Sequence, residues 1–127
     1  MEIGSFIEMQ FPKGKEYYNQ SVDIARLNTG RSAIWHAFRV SGVKAIWIPY
    51  YQCDTVRELL LKHSAKVKFY HTDNDWNPTD LDAKKDEAVL FVNYYGIMSH
   101  KRMSELASLS EHPIIDNCQG FFCEPVA

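Results

Sequence analysis

The sequence predicts a three-layer α/β/α fold in which helices cover both faces of a mostly parallel sheet. Short apolar runs of strand length alternate with stretches whose apolar residues recur at helical spacing. The order is strand, helix, strand, and then again strand, helix, strand, which is typical of a parallel sheet with helices packed on it. Residues 45–48 and 88–92 are unbroken apolar runs, as expected for strands that are buried on both sides.

The composition is that of a globular chain. Of 127 residues, 46% are hydrophobic and 24% charged, and 14 Lys and Arg against 16 Asp and Glu leave a net charge of −2. This balance disfavours a disordered chain and a nucleic-acid surface. The chain does not open with a basic segment followed by an apolar run, and no apolar run approaches membrane-spanning length, so a cytoplasmic location is expected.

The elements can be placed in chain order. Residues 1–26 are predicted to form an arm or loose hairpin, and residues 27–127 the α/β domain. The predicted helices cover residues 31–40, a segment capped by Asp54, and residues 101–110. The predicted strands cover residues 45–48, 66–70, 88–92 and 113–115. Charged and apolar residues alternate in 66–70, which indicates a strand at the edge of the sheet.

The start of the first helix has the features of an anion site. Thr29 and Gly30 are turn and N-cap residue types, and the first backbone N–H groups of a helix lack partners within it. Gly30 allows close approach, Ser32 adds a hydroxyl and Arg31 offers a forked pair of donors. The alternative is an ordinary capped helix with a surface arginine, because short glycine motifs often match by chance.

Polar and aromatic residues follow three of the predicted strands. They are Tyr51 with Gln52, Asn93 with Tyr94 and Tyr95, and Asp116 with Gln119. Ligands of parallel sheets bind beyond the carboxyl ends of the strands, so these residues and the helix start are expected to share one crevice. Asp116 follows two isoleucines and should need a cation or several donors there, or else serve as a helix cap or arginine partner. A phosphate cradle, an aromatic ring and a carboxylate together suit pyridoxal phosphate.

Other chemistry is disfavoured. Cys53, Cys118 and Cys123 are odd in number and widely spaced, so buried free thiols are expected rather than disulfides or a zinc site. No histidine stands in a recognisable relation to Cys53 or Cys118, which disfavours a cysteine-nucleophile enzyme. The acidic loop at residues 73–78 lacks the glycine and the distant glutamate of a calcium loop, and no metal site is predicted.

Four motifs together resemble the DegT/StrS-type aminotransferases. They are residues 28–34 (Asn-Thr-Gly-Arg-Ser-Ala-Ile), 48–51 (Ile-Pro-Tyr-Tyr), 93–96 (Asn-Tyr-Tyr-Gly) and 114–119 (Ile-Ile-Asp-Asn-Cys-Gln). Members of this family are pyridoxal-phosphate enzymes of the aspartate-aminotransferase fold (fold type I) that commonly act on nucleotide-linked keto-sugars with glutamate as amino donor. The similarity runs from about Leu27 to the end of the sequence, so it implies part of the large domain of that fold.

The resemblance also implies site residues. Gly30, Arg31 and Ser32 would bind the cofactor phosphate, although most members have a small hydroxyl residue where Arg31 stands. Asp116 would pair with the pyridine nitrogen, and Gln119 would lie beside the ring or its phenolic oxygen. Cys53 stands where many members have the stacking aromatic, so Tyr51 would take that role or else be a packed core or interface aromatic.

One family feature is missing from the sequence. The family's lysine downstream of the aspartate forms a Schiff base with the cofactor, and no lysine follows Asp116 here. The sequence therefore predicts no catalytic residue and a chain that does not transaminate alone. The alternative is a non-catalytic binding or assembly module derived from that fold. In either case an open sheet edge favours self-association as a dimer or larger oligomer.

Overall fold

A computed structural model of the protein describes residues 24–120, which contain three α-helices and four strands. The elements in chain order are α1 (Gly30–Ser41), β1 (Ala45–Pro49), α2 (Asp54–Lys62), β2 (Lys66–Tyr70), β3 (Glu87–Val92), α3 (His100–Ala107) and β4 (His112–Asp116). Short 3₁₀ turns lie at Tyr94–Gly96 and Cys118–Gly120. The arm predicted for residues 1–26 lies outside the described residues except for its last three.

The four strands form one sheet in the order β2-β1-β3-β4, and every neighbouring pair is parallel. The predicted α/β class is confirmed, and the sheet is parallel throughout rather than mostly so. All six residues of β3 are buried, and for residues 88–92 this is what the apolar run predicts for an interior strand. The predicted edge position of β2 is also confirmed.

Helices cover the sheet from both sides. Ile34 and Phe38 of α1 pack in one core with Leu60 of α2 and Leu90 of β3. On the other face of the sheet, Leu106 of α3 packs with Val89 and Phe91 of β3. The chain moves from β1 to β2 in one direction along the sheet and from β3 to β4 in the other, so right-handed connections place α2 and α3 on opposite faces.

The helix ends refine the sequence predictions. The Thr29 hydroxyl accepts a hydrogen bond from the Ser32 N–H at 3.2 Å, so Thr29 is the N-cap, and α1 begins at Gly30, one residue before the predicted range of 31–40. The predicted cap at Asp54 is wrong by one residue, because Cys53 holds the N-cap position and Asp54 is already helical. The third helix ends at Ala107 rather than at residue 110. Just after this end, the Ser108 hydroxyl donates a hydrogen bond to the Glu105 carbonyl oxygen at 2.6 Å.

Within residues 24–120, no helix is long and apolar enough to cross a membrane.

Candidate functional site

A cleft of about 590 Å³ opens at the carboxyl edge of the sheet. It lies where the connections after β1 and β3 leave in opposite directions, which is the usual ligand position in open parallel sheets. Of the predicted site residues, the cleft brings together Gly30, Arg31, Tyr51, Asp116 and Gln119. Arg31 and Asp116 are the only charged side chains among the described residues that line it.

The start of α1 forms one wall of the cleft. A methyl group built on Gly30 would have no neighbouring atom within 4 Å, so this position leaves room for a ligand at the helix start. Arg31 lies next to it in the wall. Ser32 is different, because it is not among the lining residues and its hydroxyl accepts a hydrogen bond from the Thr29 hydroxyl at 2.8 Å. In this structure Ser32 therefore belongs to the helix cap.

Asp116 ends β4 and also lines the cleft. One of its oxygens accepts a hydrogen bond from the Cys118 N–H at 3.1 Å. Desolvation of the Cys118 thiol, together with its hydrogen bond to Asp116 and the charge of that carboxylate, raises the pKa of Cys118 to about 11. The hydrogen-bond donors to the Asp116 carboxylate thus come from Cys118 in its own turn.

Gln119 is tied to the turn that follows β3. Its Oε1 accepts a hydrogen bond from the Tyr95 N–H at 2.6 Å, which leaves the amide nitrogen for other partners. Gly96 lies against the Gln119 backbone, where a Cβ on Gly96 would come within 2.4 Å of the Gln119 carbonyl oxygen. Only glycine fits this close approach, which locks the two 3₁₀ turns together.

Aromatic rings cluster at the mouth of the cleft. The Trp76 ring lies 4.2 Å from that of Tyr94 and 5.9 Å from that of Tyr51, between ring centroids. The Tyr94 hydroxyl donates to the Tyr51 carbonyl oxygen at 2.7 Å, and the hydroxyls of Tyr51 and Tyr95 lie 3.3 Å apart. Tyr51 remains 59% exposed, so one face of its ring is open to a ligand or a partner surface.

Backbone strain accompanies this cluster. Trp76 and Tyr95 have φ angles of 63° and 59°, in the left-handed region that bulky residues rarely adopt. Residues held in such conformations tend to mark functional regions, because surrounding contacts must hold them in place. Trp76 is not among the predicted site residues, since it lies in a polar loop far along the chain from Tyr51.

Hydrogen bonds to Asp73 order the loop that carries Trp76. One Asp73 oxygen accepts from the N–H groups of Asp75 and Asn77 at 2.9 and 2.8 Å, and the other from the Asn77 side chain at 2.8 Å. These hydrogen bonds also lower the Asp73 pKa, the side-chain bond from Asn77 most of all. Arg102 of α3 donates to the Asn77 side chain and joins the loop to the body of the fold.

Asn93 has a structural role. It is buried, its Nδ2 donates to the Asn117 side chain at 2.7 Å, and its Oδ1 accepts from the Met98 N–H at 3.0 Å. It is not among the residues that line the cleft, and of the three polar residues predicted after β3 only Tyr94 lines it. Asn93 therefore connects the segments that follow β3 and β4.

The prediction of buried thiols is wrong for the two cysteines within the described range. Cys53 and Cys118 are free and exposed, because each lies in a turn just beyond the core at the cleft. The Cys53 sulfur lies 3.1 Å from the Thr55 hydroxyl, and this hydrogen bond is the main cause that lowers the Cys53 pKa. Cys123 lies outside the described residues.

No family model, curated protein or solved structure matches this chain, so the family named from its motifs remains a prediction.

Proposed function

We propose that the protein is the amino-terminal portion of a pyridoxal-phosphate-dependent sugar aminotransferase-like protein and that its cleft binds pyridoxal phosphate. The observation that supports this most is that the start of α1 and the Asp116 carboxylate line the same cavity. Its volume of about 590 Å³ lies within the range of small-molecule sites, roughly 300–1,000 Å³. Residues 27–127 would then correspond to part of the large domain of fold type I.

The residues present fit this cofactor chemically. The open helix start at Gly30 and the Arg31 guanidinium suit a phosphate, whereas the N–H and the hydroxyl of Ser32 are both hydrogen-bonded to Thr29 in the helix cap. Asp116 would hold a proton on the ring nitrogen, and Tyr51 offers an open aromatic face for stacking. Gln119 would use the amide nitrogen that Tyr95 leaves available. When bound, the protonated pyridine would serve as an electron sink.

Covalent attachment is not part of the proposal. Among residues 24–120, no lysine lines the cleft. We therefore propose that these residues hold the cofactor reversibly and do not transaminate by themselves. A nucleotide-linked sugar and glutamate would be substrates only of a complete enzyme that supplies a lysine.

The direct test is a spectroscopic titration with pyridoxal phosphate. Arg31→Ala should raise the dissociation constant about tenfold or more, since a charge-assisted hydrogen bond contributes about 1.5–3 kcal/mol. Asp116→Ala should also weaken binding. Arg39→Ala is the matched control, because Arg39 is an exposed arginine in the last turn of the same helix.

Two results would contradict the proposal. If Arg31→Ala and Asp116→Ala bind the cofactor as tightly as Arg39→Ala, the cleft is not the cofactor site. Borohydride reduction of the loaded protein should leave no specific adduct. A single labelled lysine would overturn the statement that binding is reversible.

A second candidate function is that of an assembly module. Four large side chains are exposed at the carboxyl edge, namely Tyr50 (59%), Tyr51 (59%), Tyr95 (62%) and Ile97 (71%). Such a patch favours contact with another protein surface, and we propose a second copy of this chain. Sedimentation should then show a dimer or larger oligomer that Ile97→Asp disrupts. Leu109→Asp, at an exposed leucine after α3, should leave it intact, and a monomeric wild-type protein would refute self-association.

A further inference from the structure

The turn after β3 is hydrogen-bonded to the residues that follow β4. Asn93 donates its backbone N–H to the Asp116 carbonyl oxygen at 2.9 Å and its side-chain Nδ2 to the Asn117 Oδ1 at 2.7 Å. The Tyr95 N–H donates to the Gln119 Oε1 at 2.6 Å. Asp116 and Gln119 both line the cleft, so the turn after β3 holds two residues of the proposed site.

The Asn93 side chain is the buried member of this network. It is 1% exposed, and besides the bond from its Nδ2 to Asn117 its Oδ1 accepts from the Met98 N–H at 3.0 Å. A buried amide that is hydrogen-bonded at both ends has one favourable orientation, because rotation would leave buried groups unsatisfied. Asn93 is not among the residues that line the cleft, so its effect on a ligand there must pass through the residues that it holds.

The Asp116 carboxylate depends on the geometry of its turn. One of its oxygens accepts from the Cys118 N–H at 3.1 Å, and Asn117 is the residue between the two. The hydrogen bond from Asn93 fixes the Asn117 side chain and thereby this turn. A group that binds a ligand has to be held to within about 0.5 Å by the residues around it, and Asn93 is placed to do this for Asp116.

We propose that Asn93 is a positioning residue of the cleft, which acts through Asn117 to hold the turn that carries the Asp116 carboxylate. This inference rests on the proposed function only for the identity of the group that Asp116 binds. The position of the carboxylate itself can be measured without a ligand.

The Cys118 thiol reports on Asp116 in the absence of a ligand. Its pKa is raised to about 11 by burial first, and then by the hydrogen bond to Asp116 and the charge of that carboxylate. In a chain that carries Cys53→Ser and Cys123→Ser, the pH dependence of alkylation by iodoacetamide measures this pKa. Asn93→Leu should lower it towards its ordinary value of 9.0, because the turn no longer holds the carboxylate against the thiol.

A double-mutant cycle separates positioning from other causes. Asp116→Asn removes the charge and should lower the Cys118 pKa, and Asn93→Leu should then lower it no further. An equal shift with and without the Asp116 carboxylate would come from solvent access to the thiol and would overturn the proposal. Tyr70→Phe is the stability control, because it removes a buried hydrogen bond to the Leu90 carbonyl oxygen at a residue that does not line the cleft. A shift there as large as that of Asn93→Leu would also overturn it.

A second variant serves if Asn93→Leu does not fold. Asn117→Ala removes the acceptor of the same hydrogen bond at a half-buried position, so the core around Asn93 stays filled. It should lower the Cys118 pKa in the same direction. A pKa equal to that of the unchanged turn would mean that this hydrogen bond does not hold the carboxylate.

The effect on the cofactor is tested in the same way. Asn93→Leu should raise the dissociation constant of pyridoxal phosphate about fivefold or more, and in the Asp116→Ala chain it should have no further effect. In the Arg31→Ala chain it should keep its full effect, because Arg31 belongs to α1 and lies outside this network. A full effect of Asn93→Leu in the Asp116→Ala chain would overturn the proposal.

The two proposals fail in different ways. If pyridoxal phosphate does not bind, the proposed cofactor function is wrong, and the Cys118 pKa still decides whether Asn93 positions Asp116. If the cofactor binds as proposed and Asn93→Leu changes neither that pKa nor the affinity, Asn93 supports the fold alone and the positioning role is wrong.

Discussion

The start of β3 and the carboxyl edge of the sheet differ in how their buried polar groups are satisfied. At the start of β3, the buried Glu87 accepts hydrogen bonds from Lys68 at 2.5 Å, from the Trp47 ring at 2.7 Å and from the Lys84 N–H at 3.2 Å. At the carboxyl edge, the Gln52 amide nitrogen is buried without a partner. The first region has its polar groups satisfied within the fold, and the second keeps a donor without an acceptor.

The two regions differ in what their polar groups contribute: those at the start of β3 stabilise the fold, and those in the cleft at the carboxyl edge are available for binding. A buried charge with all its partners holds neighbouring strands together, here β1, β2 and β3. Strained backbone and unpaired donors reduce stability and are retained where they serve recognition. We therefore expect substitutions at Glu87 to affect unfolding and those at the cleft to affect ligands, with the following experiments as tests.

The largest effect is expected for Glu87→Leu. It leaves the Lys68 ammonium and the Trp47 N–H without their acceptor, so the free energy of unfolding should fall by about 3 kcal/mol or more. Urea unfolding followed by circular dichroism measures this. The control is Glu111→Leu, the same change at an exposed ion pair with Lys85, which should cost about 0.5 kcal/mol. Equal costs at both sites would show that the Glu87 cluster has no special role.

The same cluster predicts a pH dependence. Burial alone would raise the Glu87 pKa, but hydrogen bonds from Lys68, Trp47 and Lys84 outweigh it and lower the pKa from 4.5 to about 2. Because the folded pKa is the lower one, this stabilisation is complete above pH 4.5 and is lost as the pH falls towards 2. Unfolding free energies measured across this window should show a slope that Glu87→Gln reduces. An unchanged slope would assign the acid sensitivity to other carboxylates.

A smaller effect is expected at the glycines. Gly96 and Gly42 have similar φ angles of 65° and 74°, but only at Gly96 would a Cβ meet backbone atoms. Gly42→Ala should cost about 1 kcal/mol from strain alone, and Gly96→Ala about 2–3 kcal/mol. Thermal unfolding measures both. Similar costs for the two variants would mean that the backbone of Gln119 and Gly120 moves aside without penalty and that the two 3₁₀ turns are not locked.

The smallest effect is expected for Tyr51→Phe. The hydrogen bond with Tyr51 is the main cause that raises the Tyr95 pKa, so removing the hydroxyl should lower that pKa towards its ordinary value of 10.0. Both side chains are exposed, so stability should change by less than about 0.5 kcal/mol. Ultraviolet titration of tyrosinate measures the pKa. Tyr50→Phe is the control, and a similar shift there would refute the pairing of Tyr51 with Tyr95.

The sequence determined the local elements of this protein. Unbroken apolar runs and helical spacing identified all four strands and all three helices among residues 24–120, because both patterns follow from the geometry of neighbouring residues. It also indicated which strand ends would meet, since parallel strands end at a common edge. The tertiary structure decided what depends on distant partners. Glu87 could join a buried strand only because Lys68 neutralises its charge and the Trp47 ring N–H donates a hydrogen bond to it. The contact of Trp76 with the tyrosines depends on how its loop folds back, and the unpaired Gln52 amide is visible only once its surroundings are known.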